Sequence, residues 1–345
     1  MQSSLGVLFA TMTPRRLFPA RAPSADSLSW SPRLPARSRI IANPLAGGAH
    51  STQFTTALRE VAEWLSEHEM PTELRCATSA ANATELAREA VERGMDLVIA
   101  AGGDGTINDC IQALAGTSVA LGVLPHGTVN VWARELGISF DMAQAREALL
   151  RGERRRVDLG QAGTRYFLLM AGIGMDAEIV RRVEQNWLKR YGLKMVDFVA
   201  TAGTLGLIHP SEPMKLRIDG KRRTIPALMV LVSNTRLYGG ALSFTPEAIV
   251  DDGLLNLAVI PGRTLGQRIR VFAAALAHRN VPAPTVRYYQ CRTARLEAAS
   301  RVPVQVDGEI IGELPMTFRV VPQALTVLVP RNAPTDLFRQ PIISD

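Results

Sequence analysis

The sequence predicts an α/β amino-terminal domain built on an open parallel sheet, then a mainly β carboxy-terminal domain, with the active site in the cleft between them. Three observations lead there. From residue 39 onward short apolar runs alternate with amphipathic stretches, the pattern of a parallel sheet covered by helices. After about residue 157 short strands separated by turn residues take over. Three glycine-rich turns each follow a first-half strand, which gathers them at the carboxyl edge of the sheet, where ligands of such sheets bind.

The chain has 345 residues, enough for two domains that each bury a core. Its 47% hydrophobic and 21% charged content fits a folded globular protein and excludes a disordered chain. Cys76, Cys110 and Cys291 are widely spaced and odd in number, which argues for reduced thiols rather than a disulfide framework or a zinc cluster. The net charge of +7 is concentrated in residues 1–39, where six arginines face one aspartate, so the body carries little excess charge and nucleic acid is not an expected partner. Residues 1–38, rich in Ser, Pro and Ala, read as a disordered basic leader, with a targeting segment or an over-extended start as alternatives. The expected divisions are then 39–157 for the nucleotide-binding domain, 158–316 for the β domain, 317–330 for a final strand that could return to the first domain, and 331–345 for a tail.

In the first half, strands are expected at 40–42, 73–77, 97–101 and 120–124, at the spacing that βα units require. Phe54, Leu58, Val61 and Leu65 fall on one helical face, and 83–91, 107–114 and 129–136 are the other expected helices. In the second half, strands are expected at 215–219, 227–233, 254–259, 304–306 and 324–329, with one helix at 267–277.

The glycine turns carry the chemistry. In Asn43-Pro44-Leu45-Ala46-Gly47-Gly48, glycines let main-chain N–H groups approach an anion, which makes Asn43, Gly47 and Gly48 candidates for nucleotide contact. The second turn, Gly102-Gly103-Asp104-Gly105-Thr106-Ile107-Asn108, joins a strand to a helix start, so amides and helix N-terminus converge on one point. There Thr106 is expected to cap the helix, and Asp104 to hold a metal or a ribose. The third, Pro125-His126-Gly127-Thr128-Val129-Asn130, places Gly127, Thr128 and Asn130 beside it. For His126 a surface role is favoured over phosphate contact. Dinucleotide-fold and P-loop spacings are both missing, and all four lysines lie in the second half.

The second turn, the run Leu121 through Asn130, the Asp251-Asp252-Gly253-Leu254-Leu255 segment and Asp307-Gly308-Glu309 together resemble the diacylglycerol kinase catalytic-domain family, the bacterial soluble lipid kinases related to sphingosine kinases. The likeness spans residues 39–330. It implies a first domain like that of NAD kinases and phosphofructokinases, ATP as co-substrate and magnesium. Asp104 and its glycines would hold the phosphates, with Thr78 and Thr128 against the nucleotide. Glu309 would be the general base, and Asp252, with the carbonyls of Ile249 and Leu254, a structural magnesium site. Asp158 and Asp307 would belong to a supporting charge network, with Lys189 or Lys194 as the basic partner of Asp158. Val129 and Val131 depart from the family pattern, where a small residue and an acid are usual. The expected reaction is γ-phosphate transfer to the hydroxyl of diacylglycerol or a similar lipid, at the inner face of the membrane, by a cytoplasmic, peripherally bound protein; homodimerisation stays open. An NAD kinase or a degenerate nucleotide or lipid sensor are the alternatives.

Overall fold

In this computed structural model residues 37–43, 51–185, 209–240, 242–262, 264–277 and 285–339 are described. Four strands, β1 (Ser38–Ala42), β2 (Thr72–Cys76), β3 (Leu97–Gly102) and β4 (Ala120–Pro125), lie side by side and parallel in the order β2-β1-β3-β4. β1, β3 and β4 are buried along their whole length because helices cover both faces, which is why they read as continuous apolar runs. α1 (Ser51–Glu67) buries Phe54, Leu58, Val61 and Leu65, the face its periodicity predicts. α2 (Ala80–Glu92) is capped by Ser79, whose hydroxyl accepts from Asn82 N, and it buries Ala83, Ala87 and Ala90. α3 (Asp104–Leu114) leaves β3, while α4 (Val131–Glu135) and α5 (Met142–Arg151) follow β4.

The parallel sheet does not end at β4. β5 (Glu153–Ala162) runs through residues 157 and 158, where the expected domain boundary falls, and pairs antiparallel with β18 (Met316–Val329) and with β6 (Arg165–Phe167). β18 also lies parallel to β4, so one ten-stranded sheet continues through β18 into β15 (Thr293–Ala298), β8 (Glu212–Ile218) and β9 (Lys221–Ala227). The expected strand at 324–329 is therefore the second half of a 14-residue strand.

Facing these antiparallel strands is a second sheet. β7 (Met170–Gly174), β10 (Met229–Ser233), β13 (Leu255–Ile260), β14 (Arg287–Cys291), β16 (Pro303–Val306) and β17 (Glu309–Glu313) form it in the order β14-β13-β10-β7-β16-β17. Phe167, Ile173, Val230, Leu257, Val304 and Phe318 fill the space between the two sheets, as in a sandwich. α6 (Met175–Gln185) follows β7, a short hairpin joins β11 (Leu237–Tyr238) to β12 (Leu242–Ser243), and α7 (Leu265–Leu276) follows β13.

Asp158 sits where the two halves join. Its carboxylate accepts from Gln323 N at 2.7 Å, at the register shift within β18 where Gln323 adopts a positive φ of 49°, and from Gly253 N at 2.6 Å. One buried carboxylate thus ties the bulge of the crossing strand to the Asp251–Gly253 turn. Burial raises its pKa, opposed by those two N–H bonds.

Candidate active site

The carboxyl ends of the parallel strands are level, with Ala42 opposite both Cys76 and Ala101 and Gly102 opposite Pro125. The second and third glycine turns therefore meet, and His126 N donates to Gly102 O at 2.8 Å. A Cβ at residue 127 would lie 2.5 Å from Gly103 Cα and 2.8 Å from Asn130 Oδ1, so glycine at 127 is what lets the two main chains touch. A Cβ at residue 102 would collide with the Thr106 hydroxyl.

One expected role changes in the structure, and two further site residues take main-chain partners. Thr106 is not the cap of α3: Gly103 is, and Thr106 lies buried within the first turn. Asp104, expected to hold phosphate and metal, accepts from Val131 N at 2.9 Å and Trp132 N at 3.2 Å, so its carboxylate caps α4. Burial raises its pKa against these two bonds. Asn130, in the left-handed region at φ 49°, brackets Gly127 with its amide, accepting from Gly127 N at 3.0 Å and donating to Gly127 O at 2.7 Å. Its side chain shapes the third turn from within. With these side chains turned to main-chain partners, the turns offer main chain and glycine, with Thr128 exposed beside them.

Thr78 is exposed at the start of α2, with its N–H and hydroxyl both directed to Asn82 Oδ1. His126 stacks flat on Phe54 of α1 at 3.6 Å between ring centres, and burial lowers its pKa. Its place is therefore between the third turn and α1. Asn43 N donates to Ala101 O, at the end of β1. Gly47, Gly48, Lys189 and Lys194 lie outside the described residues.

The second domain reaches this edge through β17. Asp307, in the turn before it, is half-buried at a positive φ of 45°. Its carboxylate accepts from Leu168 N, Leu169 N and Met170 N and from Asn108 Nδ2, at 2.8 to 3.0 Å. Burial outweighs these bonds and pushes its pKa up to about 6. Asp307 thus pins the Glu309 turn to α3, and Asn108 serves this junction. Gln305 supports the same turn, accepting from Gly308 N at 2.8 Å and donating to buried Asp176 at 2.6 Å. Asp176 in turn accepts from the Tyr238 hydroxyl.

Glu309 opens β17 with its side chain 37% exposed. Arg165, at the start of β6, reaches Glu309 Oε2 at 2.7 Å, Asn108 Oδ1 at 2.7 Å and Asp109 Oδ1 at 3.4 Å through one terminal nitrogen. Asp109 is buried, and burial, reinforced by the nearby Glu309 charge and opposed by Arg165, pushes its pKa up to about 6. Arg165, Asp109, Gln305 and Asp176 escape the sequence reading. Only Asp109 has a local signal, as an acid directly after Asn108 in the helix that leaves the second glycine turn.

The Asp251–Leu254 turn lies at the Asp158 junction. Leu254 N donates to Asp252 Oδ1 at 2.9 Å, and burial, with smaller contributions from the Asp158 and Asp251 charges, pushes Asp252 up to about 6. No group of three or more His, Cys, Asp or Glu side chains able to hold a metal occurs among the described residues. One carboxylate with two main-chain carbonyls, as expected from Asp252, Ile249 and Leu254, is a different, all-oxygen set, and with the Asp158 and Asp251 carboxylates near it the set suits a hard cation.

Glycine turns at the carboxyl edge of a parallel sheet, faced by a carboxylate from a β sandwich, define a two-domain phosphotransferase. Residues 37–162 match the diacylglycerol kinase catalytic domain, and residues 170–329 match the YegS C-terminal NAD kinase beta sandwich-like domain. The chain is 30% identical over 299 residues to a diacylglycerol kinase of Bacillus subtilis, covering 86% of this chain and 97% of that one. A diacylglycerol kinase of Staphylococcus carnosus is 26% identical, covering 88% and 99%. A crystal structure of a putative diacylglycerol kinase from Bacillus anthracis shares the fold, with a TM-score of 0.72 at 24% identity over 86% of this chain and 98% of that one. The chain belongs to the diacylglycerol kinase family and is a lipid kinase. Among the described residues no helix is long and apolar enough to cross a membrane.

Proposed function

We propose that the protein transfers the γ-phosphate of ATP to the free hydroxyl of diacylglycerol, or of a lipid with the same hydroxyl-bearing end, giving phosphatidic acid or its analogue. The observation that carries this reading is the convergence of Glu309 on α3, the helix that starts at the phosphate turn, through Arg165 and through the Asp307–Asn108 bond. Phosphoryl transfer depends on positioning and charge neutralisation, with no covalent enzyme intermediate required.

The main-chain amides of Gly103, Gly105 and the third turn are suited to the phosphates, and α3 adds its N-terminal dipole. Thr78, Thr128 and Asn43 line the approach. Glu309 accepts the proton as the lipid O–H bond breaks, the hydroxyl oxygen bonds to the γ-phosphorus, and the bond to the β-phosphate oxygen breaks, releasing ADP. Magnesium neutralises phosphate charge when bound. Asp252 and the carbonyls of Ile249 and Leu254 would hold a further ion that steadies the junction next to Asp158. The protein works at a membrane surface without spanning it, on the cytoplasmic side.

The test is incubation with labelled ATP, magnesium and diacylglycerol in detergent micelles, with NAD in a parallel reaction. Labelled phosphatidic acid is expected. Labelled NADP with no labelled lipid would replace this reading with the NAD kinase alternative.

A further inference from the structure

Four large apolar side chains stand exposed among the described residues, Phe140, Leu265, Ile269 and Tyr288, and three of them belong to one region. Leu265, 52% exposed, and Ile269, 59% exposed, are one turn apart on α7 and share a face. Another face of α7 is buried through Val271 and Ala275, in the core that also holds Ala258 and Ile260 of β13. Tyr288, 36% exposed, lies directly opposite Ala258 across the β13–β14 pair, which puts it on the same side of the sheet as Ala258. β14 is an edge strand, and its Arg287 lies opposite Val259, near the end of β13 from which the chain enters α7.

The charge of this region has one sign. The described residues of α7 and β14 include Arg268, Arg270 and Arg287 and no acid. Arg270 is exposed beside the Leu265–Ile269 face of α7, while Arg268 on its other side is half-buried and donates to Gly262 O at 2.7 Å and His209 O at 3.0 Å, and Arg287, exposed on β14, points to the sheet side opposite Tyr288. An apolar strip edged by an exposed arginine and free of acids is complementary to a bilayer with anionic headgroups, where apolar side chains enter the interface and the guanidinium meets phosphate. The region also adjoins the site: α7 packs against β12, and Gly240 of that hairpin sits against Val129 and Arg134, beside the third glycine turn.

We infer that α7 and the adjoining edge strand β14 form a docking face for an anionic membrane, which brings the enzyme to a substrate embedded there. This rests on the reading that the substrate is a membrane lipid.

The experiment co-sediments the full chain with vesicles of phosphatidylcholine alone or mixed with phosphatidylglycerol, for the parent, Leu265→Ser/Ile269→Ser and Arg270→Glu. The parent is expected to bind the mixed vesicles, less so at high salt, and both variants to bind at least about tenfold more weakly. Their phosphorylation of a water-soluble short-chain diacylglycerol should equal that of the parent, which also reports that they are folded, while phosphorylation of vesicle-embedded diacylglycerol falls with binding. Parent-like vesicle binding by both variants, or no preference of the parent for anionic vesicles, would overturn the inference. So would loss of a dimer by Leu265→Ser/Ile269→Ser in sedimentation velocity with vesicle binding intact, which would assign the face to a second copy of the chain. Failure of the parent to phosphorylate the short-chain lipid would instead overturn the substrate reading, a result separable from vesicle binding.

Discussion

The guanidinium of Arg165 holds the Glu309 carboxylate at 2.7 Å and, through the same nitrogen, reaches Asn108 and Asp109 on the helix that begins at the second glycine turn. The carboxylate proposed to meet the lipid hydroxyl is therefore tied to α3. Arg165→Ala should lower kcat about 100-fold, the scale of misplacing a catalytic group by about 1 Å, with the KM for ATP nearly unchanged. Arg165→Lys should recover part of the loss. In a double-mutant cycle, Arg165→Ala should cost little once Glu309 is Gln, because the two act as a unit. Additive losses would make Arg165 a structural residue only.

Asp109 makes a pH prediction with a defined sign. Its folded pKa of about 6 lies above the ordinary 3.8, so the folded state prefers the protonated acid. The associated stability is present in full below about pH 4 and is lost as the pH rises through about 6, a change on the order of 3 kcal/mol. Asp109→Asn removes this titration. The melting temperature of Asp109→Asn relative to the parent should rise between about pH 4 and 7. A relative fall over that range would mean that the Arg165 charge outweighs burial at this site.

Asp104 caps α4 and so links the second turn to the helix that follows the third. Asp104→Ala should cost about 1 kcal/mol in urea denaturation, the usual cost of a lost cap, and should weaken ATP binding by loosening the third turn. Unaltered ATP affinity in calorimetry would detach Asp104 from the nucleotide site.

The parallel strands, their helices and the gathering of the glycine turns were legible because buried parallel strands read as apolar runs and strand ends share an edge. The long reach of β18 was not, because its first half has the alternating texture of a sandwich strand and its second half that of a buried one, with the change at Gln323. Glu309 and Asp158 could be placed only by resemblance to a family. Roles that depend on a partner far along the chain were hidden: Asp104 pairs with amides of residues 131 and 132, and Arg165 with a carboxylate 144 residues away. A turn motif tells which side chains are near one another, and says little about which main-chain groups they will satisfy.

Every step of the proposed transfer depends on Glu309 taking the proton from the lipid hydroxyl. The most direct measurement compares steady-state lipid phosphorylation and ATP affinity for the parent and Glu309→Gln, a change that keeps the size of a side chain already 37% exposed. Turnover should fall by about 10² to 10⁴, the range of general base catalysis, with ATP affinity retained. Parent-like turnover by Glu309→Gln would contradict the account and require another group to activate the hydroxyl.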